Sequence, residues 1–309
     1  MKQINTVWVF ADAADRYADL ITGAKKTGAK VNAVVVSEAG VQALRASGPD
    51  AVYNLDVAAE SCVENYAASL AAVIAGEGNL VLLDVTKRSK AFAAALSQKL
   101  GAALVNDALS LNPAADGLRV TFCTYGGLAV GTEKVLSANA VVTVSGGVFA
   151  PEAAESSADL AVTKVAYVAP ANALVVKERR AKAQSAVDLT KAKRVVGVGR
   201  GIAKEADLAL ADALAKAIGA EVGCSRPIAE GEHWMERERY IGVSGVLLKG
   251  DVYVALGISG QIQHMVGVND CGTIIAVNKD KNAPIFNYCD YGIVGDIYKV
   301  LPELTKALS

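Results

Sequence analysis

A strand–loop–helix pattern that occurs twice in the last third of the chain constrains the fold more than any other feature. Residues 194–198 are an apolar, β-type run that leads into the glycine-rich loop 197–201, and residues 252–256 lead in the same way into the loop 257–260. The helices predicted after the two loops cover residues 204–218 and 261–268. Strands that alternate with helices predict a parallel sheet. Both loops would then lie at the carboxyl edge of that sheet, where open α/β folds bind nucleotides.

The two glycine-rich loops favour a phosphate-containing ligand. Glycine allows the backbone to approach a bulky anion, and the N–H groups at the start of the following helix point toward that anion. The first loop, Gly197-Val198-Gly199-Arg200-Gly201, is an incomplete G-x-G-x-x-G motif because Ile202 occupies the place of the third glycine. A tight turn explains either loop by itself equally well. The occurrence of both loops predicts a phosphodiester ligand.

The N-terminal part of the chain shows a similar alternation and then loses it. The strands predicted there cover residues 6–10, 31–36 and 80–85, and the helices cover residues 17–27, 62–75 and 89–100. Between residues 118 and 179, strand-like runs follow one another without intervening helices, which predicts an antiparallel extension of the sheet. These runs cover residues 119–124, 140–145 and 173–177.

A charged stretch without a regular apolar period, residues 179–193, is the predicted linker. It divides the chain of 309 residues into an N-terminal domain, residues 1–190, and a C-terminal domain, residues 191–309. The sequence thus predicts an α/β protein. A parallel α/β domain with an antiparallel extension is followed by a doubly wound, Rossmann-like domain.

Charge and hydropathy exclude several classes of protein. The chain has 31 basic and 32 acidic residues, and its net charge of −1 gives no electrostatic attraction for nucleic acid. No run approaches the roughly 18 consecutive apolar residues that a membrane-spanning helix needs. The short apolar run at residues 7–11 is followed at once by charged residues, unlike the apolar core of a signal peptide. We therefore expect a cytoplasmic protein without membrane insertion.

Cysteine and histidine are too few and too scattered for a metal site or a catalytic triad. The five cysteines form no C-x-x-C pair, and the two histidines are His233 and His264. A zinc site needs clustered ligands, and nucleophilic catalysis needs a histidine near a serine or cysteine. We expect no bound metal and no catalytic residue, and we interpret the cysteines as buried apolar residues.

Further polar side chains lie at strand ends and turns of the predicted C-terminal domain. Ser225 and Arg226 follow one short β-type run, Ser244 lies in a glycine-containing turn, and Asn278 closes another run. An isolated arginine is usually a surface residue whose salt bridge contributes little. The position of Arg226 at a strand end and before a proline favours instead a positive charge directed into the ligand crevice.

Four runs of residues, in order along the chain, carry a resemblance to a known family. They are Gly257-Ile258-Ser259-Gly260-Gln261-Ile262-Gln263-His264, Ala276-Val277-Asn278-Lys279-Asp280, Ala283-Pro284-Ile285-Phe286 and Asp290-Tyr291-Gly292-Ile293-Val294-Gly295-Asp296. These runs resemble the signature of the electron transfer flavoprotein α-subunit. The resemblance is close from residue 194 onward and looser before it, where it includes residues 103–107 and 125–127. It is greatest for the bacterial Fix-type branch, which is associated with carnitine and acyl-CoA redox metabolism.

The resemblance implies that FAD lies across the C-terminal domain. Arg200 and Ser225 match residues beside the FAD phosphates, and Arg226 matches the arginine that packs over the isoalloxazine ring. Gln263 and His264 match positions at the pyrimidine side of that ring. The implied cofactor-binding residues are Arg200, Ser225, Arg226, Ile241, Gly242, Val243, Ser244, Ser259, Gly260, Gln261, Ile262, Gln263, His264, Asn278 and Asp296.

Asn278 and Asp296 match family positions that hold the nucleotide half of FAD. One departure from the family concerns the ring. The family usually has Gly-Gln-Thr-Gly where this chain has Gly242-Val243-Ser244-Gly245. Ser244 keeps the hydroxyl expected near N5 of the flavin, whereas Val243 lacks the amide. The redox potentials of typical members therefore do not transfer to this chain.

The resemblance implies an electron carrier rather than an enzyme with its own substrate. As half of a heterodimer, docked to a β-subunit by its N-terminal domain, the chain would shuttle electrons between acyl-CoA dehydrogenase-type enzymes of fatty acid or carnitine metabolism and another redox partner. Two alternatives are a subunit of an electron-bifurcating flavoprotein and a self-contained flavin or nicotinamide oxidoreductase. A third, an adenine-nucleotide sensor in the N-terminal domain, is disfavoured because carboxylates and no glycines follow its first strand, at residues 11–15.

Overall fold

The computed structural model describes residues 1, 3–44, 47–125, 129–152, 160–179 and 187–308. The chain divides into two compact units, Met1–Arg180 and Ala181–Ser309. Of the predicted linker, residues 180–186 lie outside the described residues, as do residues 126 and 127 of the looser family match. Leu189 is buried in the core of the second unit, so the end of the predicted linker belongs to that unit.

The N-terminal unit is an α/β unit built on one sheet of nine described strands. The strands are β1 (Thr6–Phe10), β2 (Lys30–Val35), β3 (Ala51–Asn54), β4 (Asn79–Leu83), β5 (Ala103–Ala114), β6 (Gly117–Thr124), β7 (Ala129–Lys134), β8 (Ala140–Val144) and β9 (Val162–Lys164). The helices are α1 (Arg16–Lys25), α2 (Glu38–Ala43), α3 (Ala67–Val73) and α4 (Lys87–Leu100). The strand order is β7-β6-β5-β8-β4-β1-β2-β3-β9. Only β6 pairs antiparallel among these strands, with β5 and β7, which confirms a parallel sheet with an antiparallel extension.

Two of the strand-like runs assigned to the antiparallel extension were wrongly interpreted. Residues 140–144 form β8, which lies between β4 and β5 and is parallel to both. This strand is buried along its whole length, as is typical of a central parallel strand. Residues 173–177 form no strand. The side-chain amide of Asn65 bonds the backbone N–H and the carbonyl of Leu174, at 2.8 Å each, and the N–H of Val176 donates to the carbonyl of Glu60 at 3.2 Å, so these backbone groups find partners outside a strand.

The C-terminal unit is a doubly wound sheet whose five described strands are all parallel. The strands are β10 (Arg194–Val198), β11 (Glu221–Cys224), β12 (Val252–Leu256), β13 (Thr273–Asn278) and β14 (Tyr291–Val294). The helices are α5 (Leu208–Ile218), α6 (Ile262–Met265) and α7 (Ile297–Leu308). The strand order β11-β10-β12-β13-β14 confirms the predicted fold class. Its direction reverses between β10 and β12, which is where such sheets bind ligands.

Of the two helices predicted after the glycine-rich loops, the first closely matches the expected bounds and the second is shorter. The first begins as a 3₁₀ turn at Glu205–Asp207, continues as α5 and ends at Gly219, whose φ of +61° suits a glycine cap. The second is α6, four residues long. Apolar side chains cover both faces of the sheet, with Val196 in one buried cluster and Val195 in the other. Among the described residues, no helix has the length and apolar character to cross a membrane.

Candidate functional site

The loops after β10 and β12 lie against each other at the carboxyl edge of the second sheet. The backbone N–H of Gly201 donates to the carbonyl of Gly257 at 3.1 Å, and that of Gly199 donates to Leu256 at 2.9 Å. A Cβ on Gly201 would lie 2.5 Å from Cα of Gly257, and Gly257 has a φ of +62°. Glycine is needed at both positions because the two backbones meet without space for a side chain. These glycines join the loops to each other, so their role does not depend on a ligand.

A cavity of about 700 Å³ opens beside the two loops. The loop after β10, the turn after β11, the segment around Tyr240 and the loop and helix after β12 all contribute to its lining. The lining residues are Gly199, Arg200, Ser225, Arg226, Pro227, Glu230, Gly231, Tyr240, Val243, Gly257, Ile258, Ser259, Gln261, Gln263 and His264. A volume of this size is typical of pockets for small molecules and cofactors, which range from roughly 300 to 1,000 Å³.

The cavity brings together many of the residues that the sequence predicted for the site. The predicted residues that line it are Arg200, Ser225, Arg226, Val243, Ser259, Gln261, Gln263 and His264. The predicted residues that do not line it are Ile241, Gly242, Ser244, Gly260, Ile262, Asn278 and Asp296. Sequence reasoning missed the side chains of Glu230 and Tyr240. The spacing of Glu230 from Arg226, four residues on a helical turn, was the signal that could have identified it.

Arg226 and Glu230 form an ion pair at the cavity. Arg226 Nε lies 2.6 Å from Glu230 Oε2, and Arg237 Nε lies 3.4 Å from the other carboxylate oxygen. A π-helical turn, Pro227–Gly231, places Glu230 one turn after Arg226. The hydrogen bond from Arg226 holds the pKa of Glu230 below its usual value. The Arg226 side chain is 66% exposed, so its charge is accessible to a ligand even while it is paired.

Arg200 and Ser225 contribute a cation and a hydroxyl at neighbouring strand ends. Arg200 is exposed in the loop after β10, whereas Ser225 is buried directly after β11. The backbone N–H of Ser225 donates to the carbonyl of Val198 at 2.9 Å, and its carbonyl accepts from Ile228 at 3.0 Å. These backbone bonds fix Ser225 at the end of β10, on the same edge as Arg200. The site therefore combines donors from two adjacent strands.

His264 lies in the wall of the cavity and bonds to a second buried ring. Its Nε2 lies 2.8 Å from the hydroxyl of Tyr253, a residue of β12. Its Nδ1 is buried and has no hydrogen-bond partner among the described residues. Burial lowers the pKa of His264 to about 4, and an opposing interaction with the backbone of Ile241 does not reverse this shift. The imidazole is therefore neutral at pH 7 and can donate from only one nitrogen.

The segment 241–244 supports the cavity mainly through its backbone. Ile241 is fully buried in the core. Gly242 has a φ of +149°, and a Cβ on it would lie 2.7 Å from the carbonyl oxygen of Gln263. The N–H of Val243 donates to that same carbonyl at 2.8 Å, and the exposed Val243 side chain lines the cavity. Ser244 does not line it; its hydroxyl lies 3.4 Å from that of Tyr240, which does.

Asn278 and Asp296 bond to backbone groups near their own elements. Asn278 Nδ2 donates to the carbonyl of Ile258 at 2.9 Å, which braces the loop after β12, and its Oδ1 accepts from Asp280 at 3.0 Å. Asp296 Oδ1 accepts from the backbone of Tyr298 at 3.0 Å, at the start of α7. Both side chains thus stabilise the local backbone through hydrogen bonds, and the nucleotide contact implied for them remains a prediction.

The described residues fit FAD. The orphaned Nδ1 of His264 is a buried polar atom for which a bound acceptor would provide a partner. No backbone hydrogen bond within the described residues uses the N–H groups of Ser259, Gly260 and Gln261, which leaves three donors in the loop after β12 for phosphate or ring oxygens. Two arginines at the cavity supply positive charge for an anionic dinucleotide.

Comparisons with known proteins agree with this geometry. The family model described as the electron transfer flavoprotein FAD-binding domain matches residues 188–269, which include every residue that lines the cavity. The model described as the electron transfer flavoprotein domain matches residues 7–170. Asn278 and Asp296 lie beyond the first match.

Three similar proteins from bacteria match the chain over their whole length. The chain is 54% identical to "Putative electron transfer flavoprotein subunit YdiR" of Escherichia coli (strain K12), over 100% of both chains. It is 46% identical to "Protein FixB" of Salmonella typhi and of Escherichia coli O157:H7, again over 100% of each chain.

Proposed function

Because the chain belongs to the electron transfer flavoprotein family as an α-type subunit, we propose that it holds FAD in the cavity of its C-terminal unit and carries electrons with it. The observation that carries the proposal is the convergence of four separate segments on one cavity of about 700 Å³. The fold by itself does not need cations, a buried hydroxyl and an unpaired imidazole nitrogen at one sheet edge. A dinucleotide, with phosphates at one end and a polar ring at the other, needs groups of these kinds to bind it.

Bound FAD supplies the electron-transfer chemistry, which no amino-acid side chain of the site needs to perform. The chain binds and orients it. Arg200 and Ser225 are placed to hold the phosphates, and Arg226 provides a positive charge that stabilises negative charge on the ring. His264 is neutral at pH 7 and offers a single N–H donor. The proposal assigns none of these residues as a nucleophile or general base, and the chain is proposed to act as a carrier and not as an enzyme with its own substrate.

We further propose that the N-terminal unit docks a β-subunit. Members of the α family normally pair with such a subunit. The antiparallel extension exposes large apolar side chains: Tyr125 is 80% exposed, Val130 62% and Leu136 85%. A contiguous exposed apolar patch is typical of an interface, and we infer that these three side chains belong to one. Val130→Asp with Leu136→Asp should therefore reduce co-purification with the β-subunit, whereas Val175→Asp, at a 73% exposed valine of the same unit, should not.

The redox partners proposed are acyl-CoA dehydrogenase-type enzymes of fatty acid or carnitine metabolism in the cytoplasm, and a further acceptor. This part of the proposal is supported by the resemblance to the Fix-type branch and by the 46% identity to FixB proteins. Reduction of the FAD-loaded heterodimer by an acyl-CoA dehydrogenase and its substrate tests it. Reduction by NADH alone would contradict it and favour a nicotinamide-linked oxidoreductase.

Reconstitution of the heterodimer with FAD tests the main proposal. We expect flavin absorption bands that are lost with Arg200→Ala and retained with Arg194→Ala. Arg194 is the matched control because it lies at the other end of β10, where it bonds the carbonyl of Ile218 at 2.7 Å. A colourless wild-type assembly would refute FAD binding. Two FAD per heterodimer, with one bound to the β-subunit, would indicate an electron-bifurcating flavoprotein instead of a simple carrier.

A further inference from the structure

Tyr253 reaches His264 through space that a glycine provides. Tyr253 is the second residue of β12 and is fully buried. Its partner across β10 and β12 is Val195, and Gly197, two residues further along β10, has no side chain, so a Cβ there would overlap the Tyr253 hydroxyl. The phenol can therefore cross the face of β10 and place its hydroxyl 2.8 Å from Nε2 of His264. The only polar side-chain atom of Tyr253 is therefore hydrogen-bonded to a residue of the cavity wall.

The donor in this hydrogen bond follows from the partners available. Within the described residues, the Tyr253 hydroxyl bonds only to His264. If Nε2 carried the ring proton and donated it, the hydroxyl proton of Tyr253 and the lone pair of Nδ1 would both be buried without partners. If the hydroxyl donates to Nε2, the hydroxyl proton is paired, and a proton on Nδ1 can interact with the backbone of Ile241, the interaction that opposes the lowering of the pKa of His264. A buried unpaired group is costly, so the arrangement with fewer of them is favoured.

We propose that Tyr253 is a positioning residue: its hydroxyl donates to Nε2 of His264 and fixes the neutral imidazole in the tautomer with its proton on Nδ1. Nδ1, the buried nitrogen without a hydrogen-bond partner among the described residues, is then the donor of the ring, and Nε2 is occupied by Tyr253. The use of that donor toward FAD rests on the proposed function. The tautomer itself is a property of the chain and does not depend on FAD.

Nitrogen NMR of the full chain labelled with ¹⁵N-histidine tests the proposal, because long-range proton–nitrogen correlations distinguish the two neutral tautomers. The chain has two histidines, so His233→Asn assigns the signals. At pH 7 without FAD, we expect the His264 ring of the wild type to carry its proton on Nδ1. Tyr253→Phe should shift the population toward the Nε2-protonated tautomer. Tyr17→Phe is the matched control: it removes another buried phenol, bonded to the carbonyl of Val34 at 2.6 Å, from the N-terminal unit.

The wild-type spectrum is decisive even if Tyr253→Phe does not fold. An Nε2-protonated His264 in the wild type would overturn the proposal, and so would a folded Tyr253→Phe chain with an unchanged tautomer. After loading with FAD in the heterodimer, we expect the flavin potential to shift downward in Tyr253→Phe and to stay unchanged in Tyr17→Phe. A wild type with the expected tautomer that takes up no FAD would support the role of Tyr253 and refute the proposed function instead.

Discussion

Acidification should destabilise the C-terminal unit through His264. Burial lowers the pKa of this histidine to about 4 in the folded chain, whereas an unperturbed histidine has a value near 6.5. Above pH 6.5 the ring is neutral in both states and the full stability is present. As the pH falls from about 6.5 toward 4, the unfolded chain binds a proton that the folded chain does not, so stability is lost. The two pKa values give a loss of about 2 kcal/mol at about pH 5 and about 3 kcal/mol below pH 4.

Urea unfolding at about pH 7.5 and about pH 5 measures this loss. Fluorescence of Trp234, in a Trp8→Phe background, reports on the unit that contains His264. We expect the wild type and His233→Asn to lose about 2 kcal/mol more than His264→Asn does between these conditions. Carboxylates titrate alike in all three chains, and His233 is the control because it is the exposed histidine. An equal pH-dependent loss in His264→Asn would refute the reasoning.

Three further predictions concern the loops and charges of the site. Gly257→Ala, at a φ of +62°, should reduce the free energy of unfolding by about 1–2 kcal/mol or more in urea unfolding and should impair FAD binding. The control is Gly231→Ala, which has no atom near its Cβ and should not reduce the free energy of unfolding. Arg226→Ala should lower the flavin midpoint potential, and Glu230→Gln should raise it because the guanidinium loses its counter-ion; equal potentials in spectroelectrochemical titration would contradict this. Asn278→Ala should weaken FAD binding several-fold in a fluorescence titration, because the loop after β12 loses its 2.9 Å brace, and unaltered affinity would exclude that role.

The sequence predicts the C-terminal strands well because their signals are local. Residues 194–198 and 252–256 are apolar runs that end at glycines, and they form β10 and β12 with the expected bounds. Residues 140–144 were misassigned because the direction of pairing depends on distant strands, β4 and β5, rather than on the run itself. Residues 173–177 have β-type composition, yet their backbone bonds go to scattered partners: Asn65 bonds Leu174, and the carbonyl of Glu60 accepts from Val176. Patterns thus identify apolar runs, and tertiary partners decide what those runs become.

The candidate site shows a similar division between local and distant information. Arg226 and His264 could be singled out from their motifs, and both line the cavity. Glu230 and Tyr253 could not be singled out in this way, because a counter-ion and a buried phenol have no sequence motif of their own. Their relevance appears only in three dimensions, through contacts of 2.6 Å to Arg226 and 2.8 Å to His264.

The charges of the cavity are arranged for two different tasks. Arg200 is exposed at the loop after β10, where an anionic phosphate group can pair with it directly. Arg226 is already bonded to Glu230, so its attraction for a phosphate is reduced by the neighbouring carboxylate. A guanidinium held by a carboxylate is better suited to a fixed orientation against a planar ring than to binding a mobile anion. Phosphate binding should therefore depend mainly on Arg200 and the potential of the ring mainly on Arg226, so that each arginine substitution changes one property and largely spares the other.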